Sequence, residues 1–230
     1  MMRVGIIQSN YIPWRGYFDF INSVDLFIFH DDLQYTKQDW RNRNKIKVWP
    51  QGTAWLTVPV NYEHTAQLIC DTKIDYSTNW EKDHINRFTA SCRHSPFLED
   101  ALSILKEAFS EHHETISGLN VHLIHLICKY YRITTPKMDS RVFDLEGSRT
   151  ERLIHLLTKV KATTYVSGPV AKQYLDEEQF KKNSIALEYK EYEYPWYIQP
   201  HGDFDPHVSI LDTIANCGND RKYILLKGIE

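Results

Sequence analysis

The sequence has no CxxC pair, no long apolar run and no surplus of basic charge, and each absence excludes a class of protein. Cys70, Cys92, Cys128 and Cys217 are widely spaced, so spacing offers neither a disulfide framework nor a zinc knuckle. The apolar stretches fall well short of the ~20 residues that span a bilayer. Met1-Met2-Arg3-Val4 lacks the apolar region and cleavage site of a signal peptide. A cytoplasmic protein with no membrane partner is expected. Nine Gly and nine Pro in 230 residues are too few for a long disordered segment. The net charge of −3 gives no overall attraction to a phosphate backbone. Nucleic acid is therefore not expected as a partner, and any anion site has to be local.

Aromatic residues are plentiful: six Trp and fourteen Tyr, many beside Asn, Gln, Asp and Arg, a mixture that suits a pocket for a polar ligand. Val4 to Gln8 and Asp25 to His30 read as buried strands. Trp14, Tyr17, Phe18 and Ile21 between them have helical spacing, which makes a βαβ unit with a parallel crossover. Trp55 to Val60 reads as a strand whose Pro59 marks either an edge strand or the strand's last residue. Helices follow over Asn79 to Arg93, after Ser95-Pro96, and over Ile116 to Tyr130. Ser148-Arg149-Thr150-Glu151 reads as a capping box opening a further helix. Thr164 to Ser167 is a strand ended by Gly168-Pro169, Ile185 to Tyr192 is a strand nearer the edge, and Ser209 to Asn216 is a helix capped by Gly218. The expected fold class is α/β, a mainly parallel sheet with flanking helices, a Rossmann-like N-terminal βαβ unit and a helical middle segment. It is expected as a single domain, with an N-terminal part over 1–76, a helical part over 77–133, a linker near Thr134 to Gly147 and a C-terminal α/β part over 148–218.

Open α/β sheets bind ligands beyond the carboxyl ends of their strands. There the sequence places Gln8 and Asn10 after the first strand, Asp31, Asp32 and Gln34 after the second, and Ser167 and Gly168 after a later one. Asp31 or Asp32 is the candidate general base, and because adjacent residues of a strand face opposite ways, only one of them can meet a given site. Their structural reading is as turn residues satisfying loop amides. From Tyr35 to Trp49, Lys37, Arg41, Arg43, Lys45 and Lys47 against Asp39 leave a local charge of +4. That suits a phosphate held by Arg, a solvated strand face, or a single-stranded nucleic acid stacked on Tyr35, Trp40 and Trp49. Cys217 lies close to His207 and Asp212, but a thiol at a helix C-terminus meets the negative end of the dipole and is poorly activated. His112-His113 and His122-x-x-His125 each lack a third ligand, so no metal is expected. Ser148-Arg149-Thr150 is a candidate anion site at a helix N-terminus, competing with its capping role.

Gln8-x-Asn10-Tyr11-x-Pro13-Trp14-x-Gly16-Tyr17-Phe18, Asp31-Asp32-x-Gln34-Tyr35 and Trp40-x-Asn42-Arg43 together resemble the opening of the WbqC-like family. The likeness continues through Trp55 to Pro59, Gly147 to Leu153, Ser167-Gly168-Pro169, Tyr174-Leu175-Asp176, Ser209 to Asp212 and Asn216-Cys217-Gly218. Ser9, where the family commonly has Pro, and His30, where an apolar or acidic residue is usual, depart from it. The family's place in bacterial gene clusters for O-antigen and other surface glycans implies an enzyme of sugar modification. The expectation is a transferase joining an acyl or aminoacyl group to the amine of a nucleotide-linked amino sugar, with an acyl or aminoacyl carrier protein as the second partner and no cofactor. Asp31 or Asp32 would act as base. Gln8, Asn10 and Gln34 would orient the sugar, Arg43 would hold phosphate, Tyr11, Trp14 or Trp40 would stack on a ring, and Tyr35, Asn42, Ser167 and Gly168 would add further substrate contacts. The alternatives are a non-catalytic binder of nucleotide sugars or carbohydrate, and a single-strand nucleic-acid module. A likeness of the first βαβ unit to nucleotidylyltransferases is faint, because Asn10-Tyr11-x-Pro13-Trp14 stands in place of their His-x-x-His.

Overall fold

The computed structural model describes residues 1–50 and 52–225. A five-stranded sheet forms its centre, with β1 (Arg3–Ile7), β2 (Leu26–Phe29), β5 (Lys137–Asp139), β6 (Thr164–Ser167) and β7 (Ala186–Tyr189) in the order β5-β2-β1-β6-β7. Every neighbouring pair is parallel, with Val4 opposite Leu26 and Tyr165, and Phe27 opposite Lys137. The chain builds outward from β1 on one side through β2 and β5, then crosses to the other side for β6 and β7. The strand order thus reverses between β1 and β6, the point where an open α/β sheet leaves a crevice at its carboxyl edge.

The period of two along the strands divides the core into two layers. Phe27 and Phe29 face a large aromatic and aliphatic cluster with α1 (Arg15–Asn22), α2 (Trp80–Cys92), α3 (Leu98–Phe109), α4 (Ile116–Tyr130) and α7 (Ile210–Cys217). Val4, Ile6, Leu26 and Ile28 face a smaller cluster with α5 (Arg149–Lys159) and α6 (Glu177–Lys182). Gly5 lets α1 lie close on the sheet, since a Cβ there would come within 2.4 Å of the Phe20 ring. Phe20 itself is fully buried, worth ~1.5–3 kcal/mol for a ring of its size.

An antiparallel hairpin, β3 (Arg43–Val48) and β4 (Gly52–Thr57), stands apart from this sheet. Much of the basic segment is therefore a strand, and the strand expected over Trp55 to Val60 runs instead from Gly52 to Thr57 and pairs with it rather than joining the main sheet. Asn44 anchors the hairpin by donating to the carbonyls of Tyr11 and Ile12 at 3.1 and 2.9 Å. Ile12 is held at φ 38°, a conformation a β-branched residue adopts only under constraint.

Other boundaries differ from the sequence reading, among them that of β7, expected over Ile185 to Tyr192 and found over Ala186–Tyr189. Helix α3 begins at Leu98 rather than directly after Ser95-Pro96, because Ser95 Oγ instead donates to Asn216 Oδ1 on α7 at 2.8 Å. The stretch read as a linker near Thr134 to Gly147 contains β5, an edge strand of the main sheet, where Phe27 N–H bonds to Pro136 at 2.9 Å. No helix among the described residues is long and apolar enough to cross a membrane.

Candidate functional site

A cleft of about 460 Å³ opens at the crevice between β1 and β6. Its walls are Ile6, Ile7 and Gln8 from the end of β1, His30 from the end of β2, Tyr165 from β6, and Arg149, Thr150 and Arg152 from the first turn of α5. Tyr174 and Leu175, after β6, complete it. The strand alternation that sends Ile28 to the α5 side sends His30 the same way, into the cleft, and turns Asp31 to the opposite face.

His30 is buried and its Nε2 has no hydrogen-bond partner. Asp32 Oδ1 lies 3.6 Å from that nitrogen. Burial lowers the His30 pKa below its usual value, against the pull of Asp32, so the imidazole is neutral at pH 7. Asp32 is itself held by Arg152 and by the Ser140 hydroxyl. Burial alone would raise its pKa, but those two bonds and the nearby positive charge win, and the carboxylate titrates below its normal range. Arg152 also donates to the Leu145 carbonyl at 2.8 Å, so a chain of contacts runs from α5 through Asp32 to the histidine.

The N-terminus of α5 is open. Ser148 is its N-cap, as the sequence suggests, yet the Ser148 side chain makes no capping bond and Arg149 adopts φ 50°. The expected capping box is absent, so the first turn brings Arg149, Thr150 and Arg152 to the cleft with the positive end of the helix dipole behind them.

Of the residues assigned from sequence to the sugar site, only Gln8 lines this cleft, where it is joined by Arg149 and Thr150 of the separate candidate anion site. Asp31 is fully buried, with one oxygen taking the Ser9 amide at 2.7 Å and the other the Ser117 hydroxyl at 2.5 Å. It ties the end of β1 to α4 and is not presented to a ligand, which is the turn-residue reading rather than that of a base. Gln34 donates to the Thr65 carbonyl at 2.6 Å, and Asn42 donates to that of Val58 at 2.9 Å. Tyr11 is fully buried with its hydroxyl 2.8 Å from His84 Nδ1. Tyr35 is buried beside Tyr62, and neither ring has a free face for a base or sugar. Ser167 and Gly168 end β6, with Ser167 Oγ 3.4 Å from the Tyr165 hydroxyl.

Asn10, Trp14 and Trp40 line a second, smaller cleft of about 200 Å³ with Pro13, Asn44 and His207. Trp14 packs there against Tyr192, Tyr194 and His207. The basic segment is spent internally. Arg41 donates to Asn10, Lys47 to the Asp203 carbonyl, and the Arg43 guanidinium lies 4.2 Å from the Trp55 ring. Arg43 is thus a stacking partner within the hairpin and lines neither cleft. The Cys217 thiol is pushed up to about 12, first by burial and then by Asp212 and Asp220, which leaves it unactivated.

Sequence reasoning puts Arg149 and Thr150 forward as an anion site, includes Arg152 and Tyr174 only within the family resemblance, gives Tyr165 no role, and notes His30 only as a departure. The strand period would have separated His30 from Asp31. Nothing local in the sequence ties Arg152 to Asp32.

The comparisons with known proteins agree with the sequence pattern. No solved structure matches the chain. A relative from Mycobacterium tuberculosis (strain ATCC 25618 / H37Rv), the uncharacterized protein Rv1507c, is 46% identical over 222 residues, covering 95% of each chain. The model of the WbqC-like protein family matches residues 8–224, and the chain belongs to that family.

Proposed function

We propose that the protein is an enzyme of bacterial surface-glycan biosynthesis that joins an acyl or aminoacyl group to the amine of a nucleotide-linked amino sugar bound in the β1–β6 cleft. The observation that carries the reading is the meeting, in one cleft, of a helix N-terminus that has no side-chain cap and bears Arg149 and Thr150 with the neutral imidazole of His30, which lies beside Asp32 without a hydrogen bond to it. The first suits a diphosphate. The second suits removal of a proton from an amine.

In this reading the sugar amine attacks the carbonyl of a carrier-bound thioester. A C–N bond forms, the C–S bond breaks, His30 takes the amine proton and returns it to the departing thiolate. Asp32, fixed by Arg152 and Ser140, stabilises the imidazolium that forms in between. Gln8 and Thr150 orient the sugar. The base assigned at first to Asp31 or Asp32 passes to His30, because Asp31 is enclosed and Asp32 is too weakly basic. The surface-glycan setting and the acyl group come from the family resemblance. The smaller cleft, with Asn10, Trp14 and Trp40, is the place for the donor.

Thermal shift with a UDP-linked amino sugar, UDP alone and a single-stranded oligonucleotide tests the ligand class. The nucleotide sugar is expected to raise the melting temperature, since a ligand bound to the native state stabilises it, and the oligonucleotide to leave it unchanged. Arg149→Ala is expected to remove the shift. Product mass with an acyl-thioester donor then separates enzyme from binder, and His30→Gln is expected to slow turnover by about a hundredfold or more, the usual scale for a general base. A shift with the oligonucleotide alone, or one indifferent to Arg149, overturns the reading.

A further inference from the structure

We propose that Glu111, His113 and His122 form a binding site for a divalent transition-metal ion, zinc by its donor chemistry, where the end of α3 meets α4. Each sequence pair taken alone is two histidines without a third ligand. Folding takes one histidine from each pair and adds a carboxylate. Ring nitrogens of His113 and His122 lie 3.1 Å apart, Nε2 to Nδ1, and Glu111 Oε2 is 3.7 Å from the same His122 nitrogen. The donor atoms of all three lie within 4.8 Å of one another, the one such grouping among the described residues.

Those separations match what a metal needs. Zinc bonds to imidazole nitrogen and carboxylate oxygen at ~2.0–2.2 Å, which puts tetrahedral donors about 3.3 Å apart. Two nitrogens facing at 3.1 Å are otherwise reconciled only by sharing one proton. A cation takes that proton's place and adds the Glu111 oxygen as third ligand, leaving the fourth position to water. Two imidazoles and one carboxylate select zinc and its late first-row neighbours over the harder calcium or magnesium.

The scaffold is ordered around the site. His122 stands on α4, whose N-cap Thr115 accepts from Gly118 N–H at 3.2 Å. The His113 carbonyl accepts the Tyr76 hydroxyl at 3.1 Å, which fixes the intervening loop. One protein group competes: the Ala108 carbonyl lies 3.2 Å from His113 Nε2. Metal binding therefore requires the tautomer with the proton on Nδ1. The site is separate from the nucleotide-sugar cleft, whose walls include none of the three, and its test does not depend on that reading.

Isothermal titration of the full chain with zinc chloride, after dialysis against a chelator, is expected to give one equivalent bound at micromolar affinity. His122→Ala is expected to weaken it by at least tenfold, since even loss of a ligand's hydrogen-bond partner costs about 10–100-fold. Glu111→Gln, a change at an exposed side chain, should weaken binding in the same direction without disturbing the fold. The cobalt-substituted protein should lack a thiolate charge-transfer band, which excludes the cysteines as the ligands. Equal zinc affinity in wild type and both variants, no binding tighter than millimolar, or a thiolate band overturns the proposal.

Discussion

Asp31 and His30 are adjacent in the chain and opposite in role, and one residue's difference in strand phase separates them. His30 follows Ile28 toward α5, while Asp31 follows Phe29 toward α4, where Ser9 and Ser117 occupy both its oxygens. The sequence carries that phase in its alternation, so the division was legible. The choice between them was not, because it depends on partners distant in the chain: Ser117 for one, and Arg152 acting through Asp32 for the other. Asp212 shows the same dependence with a measurable consequence. Its Oδ1 accepts from the Tyr197 hydroxyl at 2.7 Å and from Gln199 at 2.9 Å, while Oδ2 is buried without a partner. Burial outweighs those bonds and raises the pKa to about 6 from 3.8. A carboxyl with a raised folded pKa binds more protons when folded, so its contribution falls as pH rises from about 4 to about 6. The loss is on the order of 3 kcal/mol at 1.36 kcal/mol per pKa unit. Asp212→Asn is expected to flatten that part of the stability profile in urea melts at stepped pH. An unchanged slope would assign it to other groups.

Strands β1 and β2 announce themselves as apolar runs, β6 by its β-branched and aromatic Thr-Tyr-Val ahead of Gly168-Pro169, and α7 by its Ser209 cap and Gly218. Strands β3 and β5 do not. The first is Arg-Asn-Lys-Ile-Lys-Val and the second Lys-Met-Asp, and such polar strands form because partners are waiting: β4 for one, the open edge of β2 for the other. The helix α5 was legible in extent, yet its capping box was inferred from residue types whose side chains do not take up the bonds. The link between the hairpin and the β1–α1 loop rests on Asn44, a buried amide with two carbonyls to satisfy. Asn44→Ala leaves both unpaired and releases the constraint on Ile12. The expected cost is ~1–3 kcal/mol, the usual penalty for an unsatisfied buried polar group, read as a shift in urea midpoint with unchanged m-value. The smaller cleft should loosen with it, since Asn44 is one of its walls.

The C-terminal third of the chain returns to the N-terminal unit and closes over it. Lys190 at the end of β7 pairs with Asp19 of α1 at 2.8 Å, with both side chains buried, and Tyr194 donates to the same carboxylate at 2.8 Å. Arg15 donates to the carbonyls of Pro195 and Tyr223 at 2.9 and 3.1 Å. Ser209 and Ile210 N–H groups bond to Lys45 and Pro13 at 2.9 and 3.0 Å. Local composition gives no sign of these contacts, which join residues far apart in the chain, and they decide how the molecule unfolds. With α1 packed between the sheet and this returning segment, neither half keeps a finished core without the other. One cooperative transition is therefore expected for the whole chain, coincident by near-ultraviolet and far-ultraviolet dichroism. Lys190→Met removes the cation that Lys190 brings to the buried Asp19 carboxylate, and loss of one partner of a buried pair costs up to ~3–5 kcal/mol. The variant should keep a single transition at a lower midpoint, because the penalty falls on a seam that both halves share. Two separated transitions, or a midpoint within error of wild type, would mean that the returning segment is a detachable covering and that Asp19 finds its compensation from other neighbours.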